Sequence, residues 1–244
     1  MSRETQSLLV TLLGSAVLRL SVTDVYLRYV KTGLRPYLVI AGVLLIGIGV
    51  VSLWRDALVG RRPSVEVREV VPAEQHAGHD HAHGPAVAWL LVLPVLAILL
   101  DAPPALGAYT ASRGSVTIGK PAAGFAALPG GDPVDTTLRD YAARAVWDQG
   151  RSLSGRRVRL RGFVTPRAGG DYYLTRIVIA CCAADSRPIK VRVTGAGGGF
   201  PADTWVEVIG RYTSGTEGGI NELIPRVQVS DAREITPPKE PYEQ

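Results

Sequence analysis

The chain of 244 residues has two cysteines, and they are adjacent. A disulfide framework is therefore excluded. Histidine is absent after position 83, so a cysteine nucleophile in the C-terminal part would lack its usual base. No catalytic residue is expected, and the chain reads as non-enzymatic. Aromatic residues make up only 7%. Binders of single-stranded nucleic acid interleave aromatics with basic groups, and here Tyr172, Tyr173 and Tyr212 are the good candidates. No nucleic-acid partner is expected. The net charge of +5 has a simpler source, the Arg-rich loops of a membrane protein.

Long hydrophobic runs are present. The first spans about Ser7 to Val30, a length that suits a bilayer crossing. It lacks the small-residue cleavage site of a signal peptide. It carries Arg19 and Asp24, intramembrane polar groups that should face protein or water rather than lipid. The second run, Pro36 to Trp54, has no charge and is bounded by Tyr37 and Trp54 as interfacial rings. Gly42, Gly47 and Gly49 in it would let another helix approach closely. The third, Ala86 to about Leu100, is short, contains Pro94 and is closed by Asp101, Pro103 and Pro104. It is read as a third span, because proline is tolerated in membrane helices.

Three spans place residues 55–85 and the C-terminal domain on opposite sides of the membrane. The positive-inside rule gives nearly a tie. Arg3, Arg55, Arg61, Arg62 and Arg68 lie on one side, and Arg28, Lys31, Arg35, Arg113 and Lys120 on the other. The expectation is a multi-pass protein of the cell membrane with its C-terminal domain extracytoplasmic.

The loop 55–85 holds all four histidines, His76, His79, His81 and His83, with Asp80 among them. Imidazole is the commonest nitrogen ligand for zinc, copper and nickel. A loop of Gly and Ala holds no rigid tetrahedron, so such a site would bind Zn2+ or another transition metal loosely. The alternative is a solvated hydrophilic loop.

The C-terminal part alternates in the manner of strands. Residues 109–134 read as a linker, and Thr136 to Gln149 as a helix capped by Asp135 or Thr136 and ended by Gly150. Five strands follow, at 156–164, 172–182, 189–194, 204–212 and 223–229, split by Gly-rich turns. The fold class is therefore an α-helical membrane module of three spans (1–108) plus a small all-β barrel of the OB type with one preceding helix (135–236), then a Pro-rich tail (237–244).

Cys181 and Cys182 end the second strand, with Asp185 close behind. Adjacent strand residues point to opposite faces, so both thiols meet one ion, or each other, only if the strand breaks there. A metal-binding or redox pair stands beside the plainer reading of one buried and one rim cysteine.

The layout of spans, His-rich loop, span and barrel resembles the YcgQ-like permease-subunit family over nearly the whole chain. Its most specific parts are Cys181-Cys182-Ala183-Ala184-Asp185 and the Pro237-Pro238-x-x-Pro241-Tyr242 end. The resemblance implies a small subunit whose partner is a larger multi-span permease, with Cys181, Cys182 and Asp185 as the domain positions of most interest. The function expected is that of an accessory permease subunit linked to zinc handling. The alternatives are a membrane-tethered thiol or redox protein and a membrane-anchored ligand-binding module.

Overall fold

The computed structural model describes residues 3–59, 93, 96–97, 103–167, 169, 171–195, 198–218 and 222–244. The chain divides into two compact units, residues 1–26 with 33–103, and residues 27–32 with 104–244.

The first unit contains helices α1 (Arg3–Val22) and α2 (Arg35–Val59). Each is long and apolar enough to cross a membrane. At ~1.5 Å per residue both reach roughly the 30 Å of a hydrocarbon core. Glycine brings them together. A Cβ on Gly14 would stand 2.9 Å from the Ile46 amide nitrogen, and one on Gly42 would stand 3.1 Å from that of Leu18. At Gly49 it would meet the Thr11 hydroxyl. Such close backbone packing drives helix pairing in lipid, where no hydrophobic effect operates between helices. Gly42 and Gly49 thus serve a contact inside the chain, whereas Gly47 faces open space.

The apolar run continues to Val30, but α1 stops at Val22, where side chains donate to its last carbonyls. Ser21 Oγ donates to Val17 O (2.6 Å), Thr23 Oγ1 to Arg19 O (3.0 Å), and Arg35 Nε to Ser21 O (3.0 Å). Arg19 therefore lies exposed in the last turn of α1. Asp24 lies past that helix, at the start of a 3-10 turn, Asp24–Arg28.

The second unit is built on a closed five-stranded barrel. Its strands are β2 (Arg157–Pro166), β3 (Tyr172–Val178), β4 (Arg187–Gly195), β5 (Trp205–Glu217) and β6 (Ile224–Glu234). They close in the circuit β2-β3-β4-β6-β5-β2, antiparallel except for the β4–β6 pair. A closed barrel of this size is compatible with the OB type. A two-residue strand, β1 (Val134–Asp135), pairs in parallel with β2.

The alternation in 157–161 sorts the side chains. Val158 and Leu160 are fully buried. Arg157, Arg159 and Arg161 face outward and pair with Asp132, Asp135 and Glu207. That basic stripe is thus matched by carboxylates of its own domain.

A short helix, α3 (Ala108–Arg113), and the longer α4 (Leu138–Trp147) complete this unit. Thr137 caps α4 by accepting from the Asp140 amide, one residue later than the expected cap. Leu138, Tyr141, Ala142 and Ala145 join the barrel core. Residues 104–113 and the tail also belong to this unit. The tail forms strand β7 (Tyr242–Glu243), parallel to β3, and the Glu243 carboxylate accepts from the Leu138 and Arg139 amides at 2.9 Å each.

The expected third span falls outside the described residues, except that Leu93, Leu96 and Ala97 are helical. His76, His79, Asp80, His81 and His83 also lie outside the described residues.

A candidate thiol site on the barrel

β3 stops at Val178, four residues before the expected end of that strand, because the next amides turn toward one carboxylate. Asp185 Oδ1 accepts from the Ala180 amide at 2.7 Å. Its Oδ2 accepts from those of Cys181 at 2.8 Å and Cys182 at 3.1 Å. Asp185 closes a 3-10 turn, Ala183–Asp185, and its own amide donates back to the Cys182 sulfur. With the strand broken, the two sulfurs no longer point apart, and Cys181 Sγ stands 3.6 Å from Cys182 Sγ. Both thiols are free. Cys181 is exposed and Cys182 partly so. One ligand atom from each of Cys181, Cys182 and Asp185 lies within 4.8 Å of the others.

The turn is held from two further directions. On one side runs the 27–32 segment that joins α1 to α2. Lys31 N donates to Cys181 O (3.0 Å), Ala183 N donates to Tyr29 O (2.7 Å), and Val30 bridges Cys182. On the other side runs the tail. Ile179 N donates to Glu243 O (3.3 Å). The buried Tyr242 hydroxyl donates to Arg28 O (2.7 Å) and accepts from Leu106 N (3.0 Å). The Pro-Pro-x-x-Pro-Tyr end is therefore part of the mounting of the thiol turn. Tyr29 and Lys31 were not legible as site residues, because nothing in their local sequence points to a partner 150 positions on.

The electrostatics follow from the hydrogen bonds. Asp185 is held well below the ordinary carboxylate range, first by the Cys181 thiol and then by the three amides. Cys181 is pushed up to about 12 by its hydrogen bond to Asp185 and then by that with Cys182. It is a protonated thiol at neutral pH and hence a poor nucleophile. A carboxylate offers about four acceptor sites. Three amides and one thiol engage those of Asp185, so it positions the thiols rather than offering a free lone pair. The pair could hold a thiophilic ion by releasing its protons, which would make binding depend on pH. Remaining positions of a zinc tetrahedron would come from other donors.

Neither a curated protein nor a solved structure matches the chain. Residues 143–243, which carry both thiols, Asp185 and Tyr242, match the family described as the DUF1980 C-terminal domain, which is uncharacterised.

Proposed function

We propose that the chain is a non-enzymatic accessory subunit of a membrane permease that handles a transition metal such as zinc. The observation that carries this reading is the pair of sulfurs 3.6 Å apart on an exposed, firmly mounted turn. Two soft donors so placed suit Zn2+ or Cu+ better than a hard oxygen-seeking cation. A redox role is less favoured, because the raised Cys181 thiol would be slow in thiol exchange. In this reading α1 and α2 offer apolar faces to lipid and, around Gly47, to a larger multi-span subunit.

The third span belongs to the same proposal. If α1 and α2 both cross the bilayer, the 27–32 segment emerges on one side. That segment belongs to the barrel's compact unit, and the proposal accordingly assigns the barrel to that side. In this proposal the chain leaves α2 on the opposite side and crosses once more before residue 104. The apolar run 86–100 is the stretch suited to that. The histidines then collect metal on the inner face, and the thiols receive or present it at the outer one.

The test is metal titration of the reduced full chain in detergent. We expect a tight Zn2+ or Cd2+ equivalent that disappears in Cys181→Ser and Cys182→Ser and survives replacement of all four histidines by Ala. Full retention in both serine variants would sink the thiol site. For the permease, affinity purification from the native membrane should bring a multi-span protein in stoichiometric amount, and its absence would remove that half of the proposal.

A further inference from the structure

Beside the thiol turn the second unit has a cavity of ≈ 550 Å³ that takes no part in the metal reading. Three cationic side chains line it, Lys31, Arg139 and Arg187. They come from the 27–32 segment, the first turn of α4 and the start of β4. None of the three side chains has an acidic partner among the described residues. Other arginines of this domain, Arg157, Arg161, Arg192 and Arg233, each meet a carboxylate within 3.0 Å. The acid on the cavity wall is Asp185, whose carboxylate is engaged by three amides and the Cys181 thiol. Glu243, at the start of α4, is occupied with the Leu138 and Arg139 amides.

We infer that this cavity binds a small organic anion with two or three carboxylates. Three unmatched cations around one concavity focus a positive potential there, and an anion relieves their mutual repulsion. Arginine accepts carboxylates in a bidentate fork, which suits Arg139 and Arg187. The size decides against one inorganic oxyanion. The volume falls in the range of about 300–1,000 Å³ typical of sites for small organic ligands, far more than one phosphate fills. The floor is apolar, with Ile118, Ile179 and Ile189, which fits a carbon skeleton between carboxylates. Lys31 belongs to the segment bonded to the thiol turn, since its amide donates to Cys181 O. An anion in the cavity therefore touches the mounting of the thiols without needing them.

The probe is citrate, titrated calorimetrically into the metal-free full chain in detergent, with inorganic phosphate and glycerol as comparisons. Saturable one-to-one citrate binding is expected, weakened about tenfold or more in the Arg139→Gln/Arg187→Gln chain, as befits the loss of charge-assisted hydrogen bonds. That variant should unfold at the wild-type temperature in the absence of citrate. The Cys181→Ser/Cys182→Ser chain should bind citrate as the wild type does, so failure of the metal site and failure of this one are read separately. The inference is overturned by absence of citrate binding, by equal binding in the arginine variant, or by phosphate binding as tightly as citrate.

Discussion

Asp185 both orders the thiol turn and raises the proton affinity of one thiol, and the two tasks can be separated by Asp185→Asn. The amide keeps an oxygen acceptor but removes the charge. Cys181 should then fall from about 12 toward its ordinary value near 9.0. Alkylation by iodoacetamide at pH 8 should accelerate by about tenfold or more, since the thiolate is the reacting species. Metal binding should survive this change, unlike Cys181→Ser, because Asp185 positions rather than ligates. The pH dependence has a definite sign. The folded Asp185 is depressed below 3.8, so its stabilisation holds above that pH and is lost as pH falls through the depressed value. Cys181 is raised, so its stabilisation is complete below pH 9.0 and fades as pH climbs toward about 12. Melting temperature should therefore drop above pH 9 more steeply in the wild type than in Cys181→Ser. Tyr242→Phe removes the hydroxyl shared by Arg28 and Leu106 and should lower barrel stability by about 1–3 kcal/mol, as measured by thermal unfolding. At this scale the sequence announced the cysteines through their adjacency. It hid the work of Asp185 and Tyr242, because a carboxylate that binds amides and one that binds metal look alike as letters.

Elements were legible where periodicity spoke and obscure where a distant partner decided. The strand at 157–161 alternates basic and apolar residues, and β2 sorts them accordingly. The strand expected to run to Cys182 ends at Val178 because Asp185 draws off its amides, a matter of hydrogen bonding rather than hydropathy. Strand β7 is two residues at the end of a Pro-rich tail, too short to show a period, and it pairs with β3. Helix α1 ends at Val22 although apolar residues continue beyond, and Ser21, Thr23 and Arg35 donate to its last carbonyls. The glycines divide in the same way. Gly47 and Gly49 look equivalent in the sequence, yet only Gly49 lies against α1. Gly49→Val should part the two helices and reduce the fraction of protein that survives heating in detergent. Gly47→Val should leave that fraction unchanged and instead weaken recovery of the proposed partner subunit.

For the whole molecule the open quantity is the number of crossings. Counting Lys and Arg in the loops could not choose a side, because the two sets are nearly equal. Membership of residues 27–32 in the barrel's unit supports the three crossings of the proposed reading and leaves the choice of side to experiment. With three crossings, an impermeant maleimide added outside intact cells should label Cys182, and Cys181 as well in the Asp185→Asn chain. A cysteine placed at His79 in a Cys181→Ser/Cys182→Ser chain should react only after the cells are opened. Labelling of both from the same side would leave two crossings and end the reading in which histidines and thiols serve opposite faces.

The mounting of the thiol turn also fixes when it can be completed. Arg28 and Tyr242 are 214 positions apart, and Thr32 and Gln244 are 212 apart. During synthesis the segment between the first two helices is made and positioned long before the residues that will grip it leave the ribosome. Its carbonyls at Arg28 and Tyr29 wait through translation of the rest of the barrel. At about 5–20 residues per second, that delay is of the order of ten seconds or more. The Asp185 turn that spaces the thiols is local and forms early, but its anchorage by Tyr242 and Glu243 is completed only as β7 docks, so a nascent chain carries the two cysteines on a turn not yet fully held.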